Sequence, residues 1–291
     1  SGDTSAACPA PHAGCPAVLT AAPPVTPAAP TASGAGKHTL FTPDKLLLVL
    51  LVAVNLGFLG YFKYFDFLTG LVNKLAGGTV AEPKNLLLPV GISFYTFQMI
   101  SYVVDVYRGT TGAERNLLNL GLYMSFFPKM IQGPIERYQG MGARIRSRHV
   151  TPELFACGAR RFIYGLGKKV ILANQFGSVV DKVLANPMDQ ISGGVGWYVG
   201  ILYPLQIYFD FSGYSDMAVG LGKMLGFELT ENFNYPFMSS SVGEFWRRWH
   251  ISLSSWFKDY LYITLGGRRK GTLISCRILM LVFICSGFCH G

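Results

Sequence analysis

Four ionisable side chains stand inside apolar sequence, and these are the groups with which this chain could do chemistry. Asp210 and Asp216 lie in "YFDFSGYSDM", His250 lies in "RWHISLSSWF", and His290 ends "ILMLVFICSGFCH". An ionisable group at membrane depth is costly to place there and marks a functional site by default. A neutral imidazole in a water-poor site can serve as a general base near neutral pH. Each group also has a plainer reading. The aspartates can be helix–helix hydrogen-bonding groups, and the histidines can be buried rings bonded to a neighbour. Depth singles out His290. Arg277 is expected to snorkel to an interface. About thirteen residues at roughly 1.5 Å each then put His290 on the order of 20 Å into a layer about 30 Å thick. A free carboxylate on Gly291 at that depth would be very costly, so the natural chain is expected to continue past it.

The elements that must position these groups are long and apolar. Half of the 291 residues are hydrophobic and only 14% are charged, against roughly a quarter charged in soluble domains. That composition reads as an all-α integral membrane protein and excludes an ordinary soluble enzyme. Residues 1–40 are rich in Ala, Pro, Ser, Thr and Gly and are expected to be disordered. They lack the basic start and apolar core of a secretory signal. The remaining residues, 41–291, form one membrane domain. Leu46 to Phe62 is a first predicted span. Leu86 to Tyr107 is a second, its first turn broken by Pro89 and Gly91. Leu117 to Ile135 ends in "FFPKMIQGPIERY", whose two prolines and glycine predict a re-entrant or kinked element buried in protein. Phe162 to Val183 reads as a helix interrupted by Lys168 and Lys169. Trp197 to Phe227 is too long for one span, and its Asp, Gly and Ser residues predict two elements meeting inside the membrane. Leu273 to Cys289 is the last apolar segment.

Charge sets the orientation. From Glu136 to Lys169 eight Lys or Arg stand against two acids, which places this connection on the cytoplasmic side. Arg268, Arg269 and Lys270 are assigned to the same side. Both clusters read as topology signals or, more specifically, as a dock for an anionic donor or its carrier. The net charge of +9 is therefore not a nucleic-acid footprint. The six cysteines have no metal-ligand spacing and read as small packing residues. From Ser241 to Gly267 the pattern differs. Ser241 and Glu244 form a capping box, and large apolar residues recur every three or four positions with charge opposite. This predicts one amphipathic interfacial helix with His250 on its apolar face.

Four stretches together, "LPVGISFYTFQMISYVVDVYRG", "FFPKMIQGPIERY", "YFDFSGYSDMAVGLGKMLGFELTENFNYPF" and "FWRRWHISLSSWFKDYLYITLGGRRKG", resemble the bacterial membrane-bound O-acyltransferases. The likeness is to the alginate O-acetyltransferase branch, with the teichoic acid D-alanylating enzymes as cousins. It runs from about Leu46 to Gly291. The resemblance implies a multi-span helical fold with re-entrant and interfacial helices around a central funnel, in the bacterial cytoplasmic (inner) membrane. It implies transfer of an acyl group, here acetyl, from a cytoplasmic-side thioester to hydroxyls of an exported polysaccharide such as alginate. It matches His290 to the catalytic base and His250 to a second functional histidine, with no metal required. Asp210, Asp216, Trp249, Ser252 and Asn232 are the substrate-binding candidates inside the same motifs. The donor, acetyl-CoA or an acyl-carrier thioester, is a substrate rather than a bound cofactor. Periplasmic acetyltransferases are implied partners, beside the lipid bilayer and the polysaccharide. Two letters depart from the family pattern: Cys289 stands where Trp precedes the catalytic histidine, and Thr264 stands where Pro is usual. Helices before Leu46 and after His290 are expected and absent from this sequence. Two other readings remain open. Broken helices with buried Asp210 and Asp216 would suit a transporter, and Cys289 with the missing ends would suit a non-catalytic homologue or fragment.

Overall fold

Apolar runs of helix-forming length set the architecture. The computed structural model describes residues 42–267 and 271–290, without the side chains of Met188, Cys289 and His290. The expected disordered tail, the Arg268–Lys270 cluster and Gly291 lie outside the described residues. The described elements are all helical. α1 runs over Pro43–Ala76, α2 over Ile92–Tyr107 and α3 over Leu117–Ser125. A 3₁₀ turn at Phe127–Lys129 leads to α4, Tyr138–Arg146. α5 (Pro152–Gly167) continues through a π-helical turn (Lys168–Ala173) into α6 (Asn174–Leu184). α7 is Gly193–Met224, α8 is Val242–Arg248 and α9 is Ile251–Trp256. α9 runs on into a second π-helical turn, Phe257–Tyr262, and α10 spans Thr272–His290.

α1 continues past the predicted end at Phe62, because Lys63 and Asp66 are compatible with helix and no proline intervenes before Gly77. Its 34 residues cover roughly 50 Å, more than an apolar core needs. Most of its leucines and valines are exposed, as on a helix whose whole circumference suits lipid. Among the described residues α1 is the one helix long and apolar enough to cross a membrane; Thr272–Phe288 is a shorter apolar helix. α2 begins only after Gly91, which has φ +76°. A side chain there would also meet the Met130 carbonyl at 2.1 Å, so Gly91 locks the start of α2 against the turn after α3. Two apolar clusters share α2. Tyr102 joins Tyr123, Phe126, Tyr138 and Phe227 on one side, and Phe97 joins Ile135, Leu253, Trp256 and Phe257 on the other.

The predicted break at "YFDFSGYSDM" does not occur: α7 is one helix through Asp210 and Asp216, with Pro204 inside it. The small residues there serve close packing instead. A Cβ on Gly213 would lie 2.8 Å from the Gly165 carbonyl, and one on Gly220 would lie 2.7 Å from the Gly158 carbonyl. α5 and α7 thus run antiparallel with two glycine pairs in register, seven residues apart on each helix, and their backbones nearly touch. The aspartates are neutralised across the same seam. Arg161 donates to Asp216 Oδ1 from Nε and Nη2 at 2.8 and 2.5 Å, Lys168 reaches Asp216 Oδ2 at 2.5 Å, and Lys169 pairs with Asp210. A charge removed from water is tolerated when it is paired and hydrogen-bonded in this way.

The basic stretch is similarly engaged. Arg137, Arg144 and Arg146 pair with Asp259, Glu228 and Glu114. Six of the eight cations from Arg137 to Lys169 therefore hold carboxylates remote in sequence. Of the cysteines read above as packing thiols, Cys276 and Cys285 are free among the described residues. The glycine seam makes a signed prediction. Gly165→Ala would place its Cβ 2.5 Å from the Gly213 carbonyl and should destabilise by about 1–3 kcal/mol. Gly60→Ala in α1, with open space around it, should be neutral or up to about 1 kcal/mol more stable. Thermal unfolding in detergent distinguishes them.

Candidate functional site

The segment expected to be one amphipathic helix is two helices with a sharp break at the histidine. Ser241 caps α8, its Oγ accepting from the Glu244 N–H at 3.2 Å. The reciprocal arm differs from the usual capping box by one residue. Glu244 Oε2 accepts from the backbone N–H and hydroxyl of Ser240, at 3.0 and 2.8 Å. Arg248 donates to its other oxygen at 2.6 Å. α8 then stops. Trp249 is extended and His250 adopts φ 44°, ψ 56°, the left-handed region that non-glycine residues rarely occupy. His250 thereby becomes the N-cap residue of α9 and turns its ring inward, 5% exposed.

The strain of that turn is compensated by the chain segment after α7. The Asn232 carbonyl accepts from the Ile251 N–H at 3.0 Å, and Asn232 Oδ1 accepts from the Ser252 N–H at 3.3 Å. These are the first two amides of α9, which no helix can satisfy internally. The Asn234 N–H donates to the Arg248 carbonyl at 3.0 Å, so residues 232–234 bracket the break from both sides. Ser252 Oγ in turn accepts from the Ile135 N–H at 3.0 Å. Asn232 and Ser252, expected to bind substrate, are 1% and 2% exposed and hold the backbone around His250.

In front of the His250 ring is a cavity of about 420 Å³. Its walls are the entry to α2, the turn after α3, one face of α7, and α9. The polar lining is His250, Asp210, Gln132, Gln206 and Ser93, set among Phe211, Ile135 and Leu253. Phe211 meets the imidazole edge-on, with ring centres 4.7 Å apart and planes at 87°. Gln206 Oε1 is buried with no hydrogen-bond partner among the described residues. A mostly apolar concavity with a few convergent polar groups is the usual form of a small-ligand site. A second opening of about 470 Å³ lies between α1 and the last turns of α10, lined by Tyr64, Phe67, Gly287 and Phe288. There the Tyr64 hydroxyl donates to the Phe288 carbonyl.

The candidates therefore divide. His250 and Asp210 line the cavity, while Asn232 and Ser252 stand behind it. Trp249 stacks on Phe245 at 5.5 Å and meets Phe233 edge-on, in an aromatic cluster that supports the break. Asp216 is held by Arg161 and Lys168 and is not part of the cavity lining. The His290 backbone is in α10, and its side chain lies outside what is described. Five residues before it, Cys285 packs against the cluster that contains Leu253 and Phe97. Gln132 and Gln206 were missed because an amide has no charge to mark it in an apolar run; a lone polar residue in "YPLQIYFD" was the available signal.

Apolar helices, a left-handed break carrying a buried histidine, and an amide-lined cavity beside it thus make up the described architecture. The profile of the membrane-bound O-acyltransferase family matches residues 112–291, which include the turn after α3, α7, the break and α10. The chain belongs to that family. It is 46% identical over 252 residues to the probable alginate O-acetylase AlgI of Pseudomonas putida, covering 86% of this chain and 52% of that protein. It is 35% identical over 274 residues to the peptidoglycan O-acetyltransferase of Helicobacter pylori, covering 85% and 52%. It is 31% identical over 185 residues to the teichoic acid D-alanyltransferase of Bacillus subtilis, covering 62% and 46%. The chain spans about half the length of the curated relatives it matches.

The cap on α8 predicts an acid response. The Ser240 N–H, the Ser240 hydroxyl and Arg248 hold the Glu244 carboxyl down to about 2. Between its ordinary value of 4.5 and about 2, the unfolded chain binds more protons than the folded one. This cap's contribution is thus complete above pH 4.5 and lost as the pH falls through about 2. Unfolding midpoints over that range should lose this component in Glu244→Gln and retain it in the parent.

Proposed function

We propose that this chain forms the acyl-transfer part of an O-acetyltransferase with several membrane passes in the bacterial cytoplasmic membrane. Its acceptor is a hydroxyl of an exported polysaccharide, alginate being the first choice. The observation that carries the reading is the cavity shared by His250, Asp210, Gln132 and Gln206, inside the segment that matches the family. The relatives' names cover alginate, peptidoglycan and teichoic acid, three surface polymers. An exported acceptor with free hydroxyls is the chemistry common to them.

The reaction needs one base, one acceptor hydroxyl and one thioester. His290 removes the hydroxyl proton as the oxygen attacks the thioester carbonyl carbon. The tetrahedral intermediate then expels the thiolate, which takes the proton back from the imidazolium. The ester forms, the C–S bond breaks, and no net proton is consumed. His250 orients the reacting groups from the cavity wall, where the edge of Phe211 and the surrounding apolar residues keep water scarce. Donor amide and hydroxyl groups can bond to Gln132 and Gln206. The donor enters from the side that carries the Arg137–Lys169 stretch, as acetyl-CoA or an acyl-carrier thioester, and periplasmic acetyltransferases receive or extend the modification.

Substitution in the intact gene product tests the assignment. His290→Ala should abolish polymer acetylation, a loss of about 10²-fold or more. His250→Ala should lower it by at least about tenfold with folded protein unchanged. Unchanged acetylation in His290→Ala, measured as ester content of the exported polymer, removes the base from that position.

A further inference from the structure

Two side chains on one face of α7 bring unmade hydrogen bonds to the cavity wall. Gln206 and Asp210 stand one helical turn apart, and both line the cavity. The Gln206 amide is backed by α6. A Cβ on Gly177 would lie 3.2 Å from Gln206 Nε2 and 3.5 Å from its Cδ, so the nitrogen edge faces that helix. Oε1, on the opposite edge of the planar amide, is buried and has no hydrogen-bond partner among the described residues. A buried acceptor left unbonded is costly until a donor reaches it. The terminal torsion of a glutamine is soft, so this oxygen can turn to a donor that enters the cavity.

Asp210 is held from behind. Lys169, in the π-helical turn after α5, donates to its Oδ1, and no bond to Oδ2 is formed among the described residues. An ionised carboxylate is an acceptor only. With its charge balanced by Lys169 and its side chain 36% exposed, Asp210 keeps an acceptor oxygen at the cavity edge. The stripe therefore asks its ligand for two N–H or O–H donors. Side chains four residues apart on a helix start about 5–6 Å from each other.

Volume narrows the ligand. At about 420 Å³ the cavity lies near the small end of small-ligand sites, which run from roughly 300 to 1,000 Å³. That is room for a slender arm and not for a nucleotide or a carrier protein as well. The pantetheine arm, common to coenzyme A and acyl-carrier thioesters, carries two amide N–H groups separated by a β-alanyl unit. Their spacing is comparable to that of the stripe. We infer that Gln206 and Asp210 are the residues that select the donor, each accepting from one of the two pantetheine amides, with Lys169 as the positioning residue of Asp210. The inference rests on the acyl-transfer reading of the cavity and adds to it which part of the donor is read, and by what.

The test crosses residue with ligand in the intact gene product. The donors are acetyl thioesters of pantetheine in which one amide or the other is replaced by an ester, which keeps the shape and removes a single N–H. They are supplied as coenzyme A thioesters in one arm and loaded on an acyl-carrier protein in the other, and the arm that supports acetyl transfer identifies the source. In the parent each ester should lower kcat/KM about tenfold or more, because it leaves an acceptor unpaired. Gln206→Met should reduce one of these penalties to within about twofold. Asp210→Leu with Lys169→Met, which orphans no charge, should reduce the other. Lys169→Arg keeps the ion pair and should keep both penalties. Variants that lower transfer from all donors together, with both penalties intact, show a role in folding alone and overturn the inference. Parental penalties within about twofold also overturn it, and they need no substitution, so they decide the case in which a variant does not accumulate as folded protein. Absent penalties with acetyl transfer intact remove this inference and leave the acyl-transfer reading standing. No transfer from any donor in either arm removes that reading, and the inference with it.

Discussion

Asn232 accepts two backbone hydrogen bonds from the first turn of α9, one through its carbonyl and one through its side chain. Everything at the cavity depends on that grip. A histidine in the left-handed region costs on the order of 1 kcal/mol or more and persists only where its surroundings over-determine it. Here the bracket of residues 232–234, the bond from Ile135 to Ser252, and the packing of Trp249 on Phe245 do so together. The consequence is geometric. A continuous helix would keep His250 on one stripe with Trp246 and Leu253. The break instead aims the imidazole across the chain at Phe211 on α7.

The frame behind that site is the α5–α7 seam. Two glycine pairs bring the helix backbones together, and the carboxylates of α7 meet the cations of α5 and its π-helical turn. The π turn at Lys168–Ala173 falls where Lys168 and Lys169 turn toward Asp216 and Asp210. The extra residue per turn that a π-helix accommodates is commonly found at such functional or strained places. With Asp210 tied to Lys169 at the cavity edge and Asp216 tied to Arg161 and Lys168, α7 keeps its charged residues without breaking. The broken helix that motivated the transport alternative is absent from α7.

Much of the fold was legible in the residues. The helical class followed from apolar runs, the delayed start of α2 from Pro89 and Gly91, and the broken turn after α3 from its prolines and glycine. The family was legible in four long motifs, and the profile match bears it out. What failed did so for identifiable reasons. Glycine and serine in "SGYSDM" were read as breakers, but the partner of Gly213 is Gly165, about 50 residues earlier, and local sequence cannot show a contact at that separation. The helix period across Trp249 and His250 was genuine, but tertiary hydrogen bonds accepted by Asn232 override it. Asn232 and Ser252 were found as important positions, but their hold on the backbone around His250 was not legible: sequence marks a polar residue without revealing whether it faces ligand or backbone.

The central claim is that donor and acceptor meet in the cavity in front of His250. The most direct measurement is the rate at which a maleimide modifies Ile207→Cys, on the cavity wall contributed by α7, in the intact gene product with its thiol background removed. The account predicts that the thioester donor slows this modification and that the modified protein transfers no acetyl groups. Equal rates with and without donor, together with full transfer after modification, would contradict it.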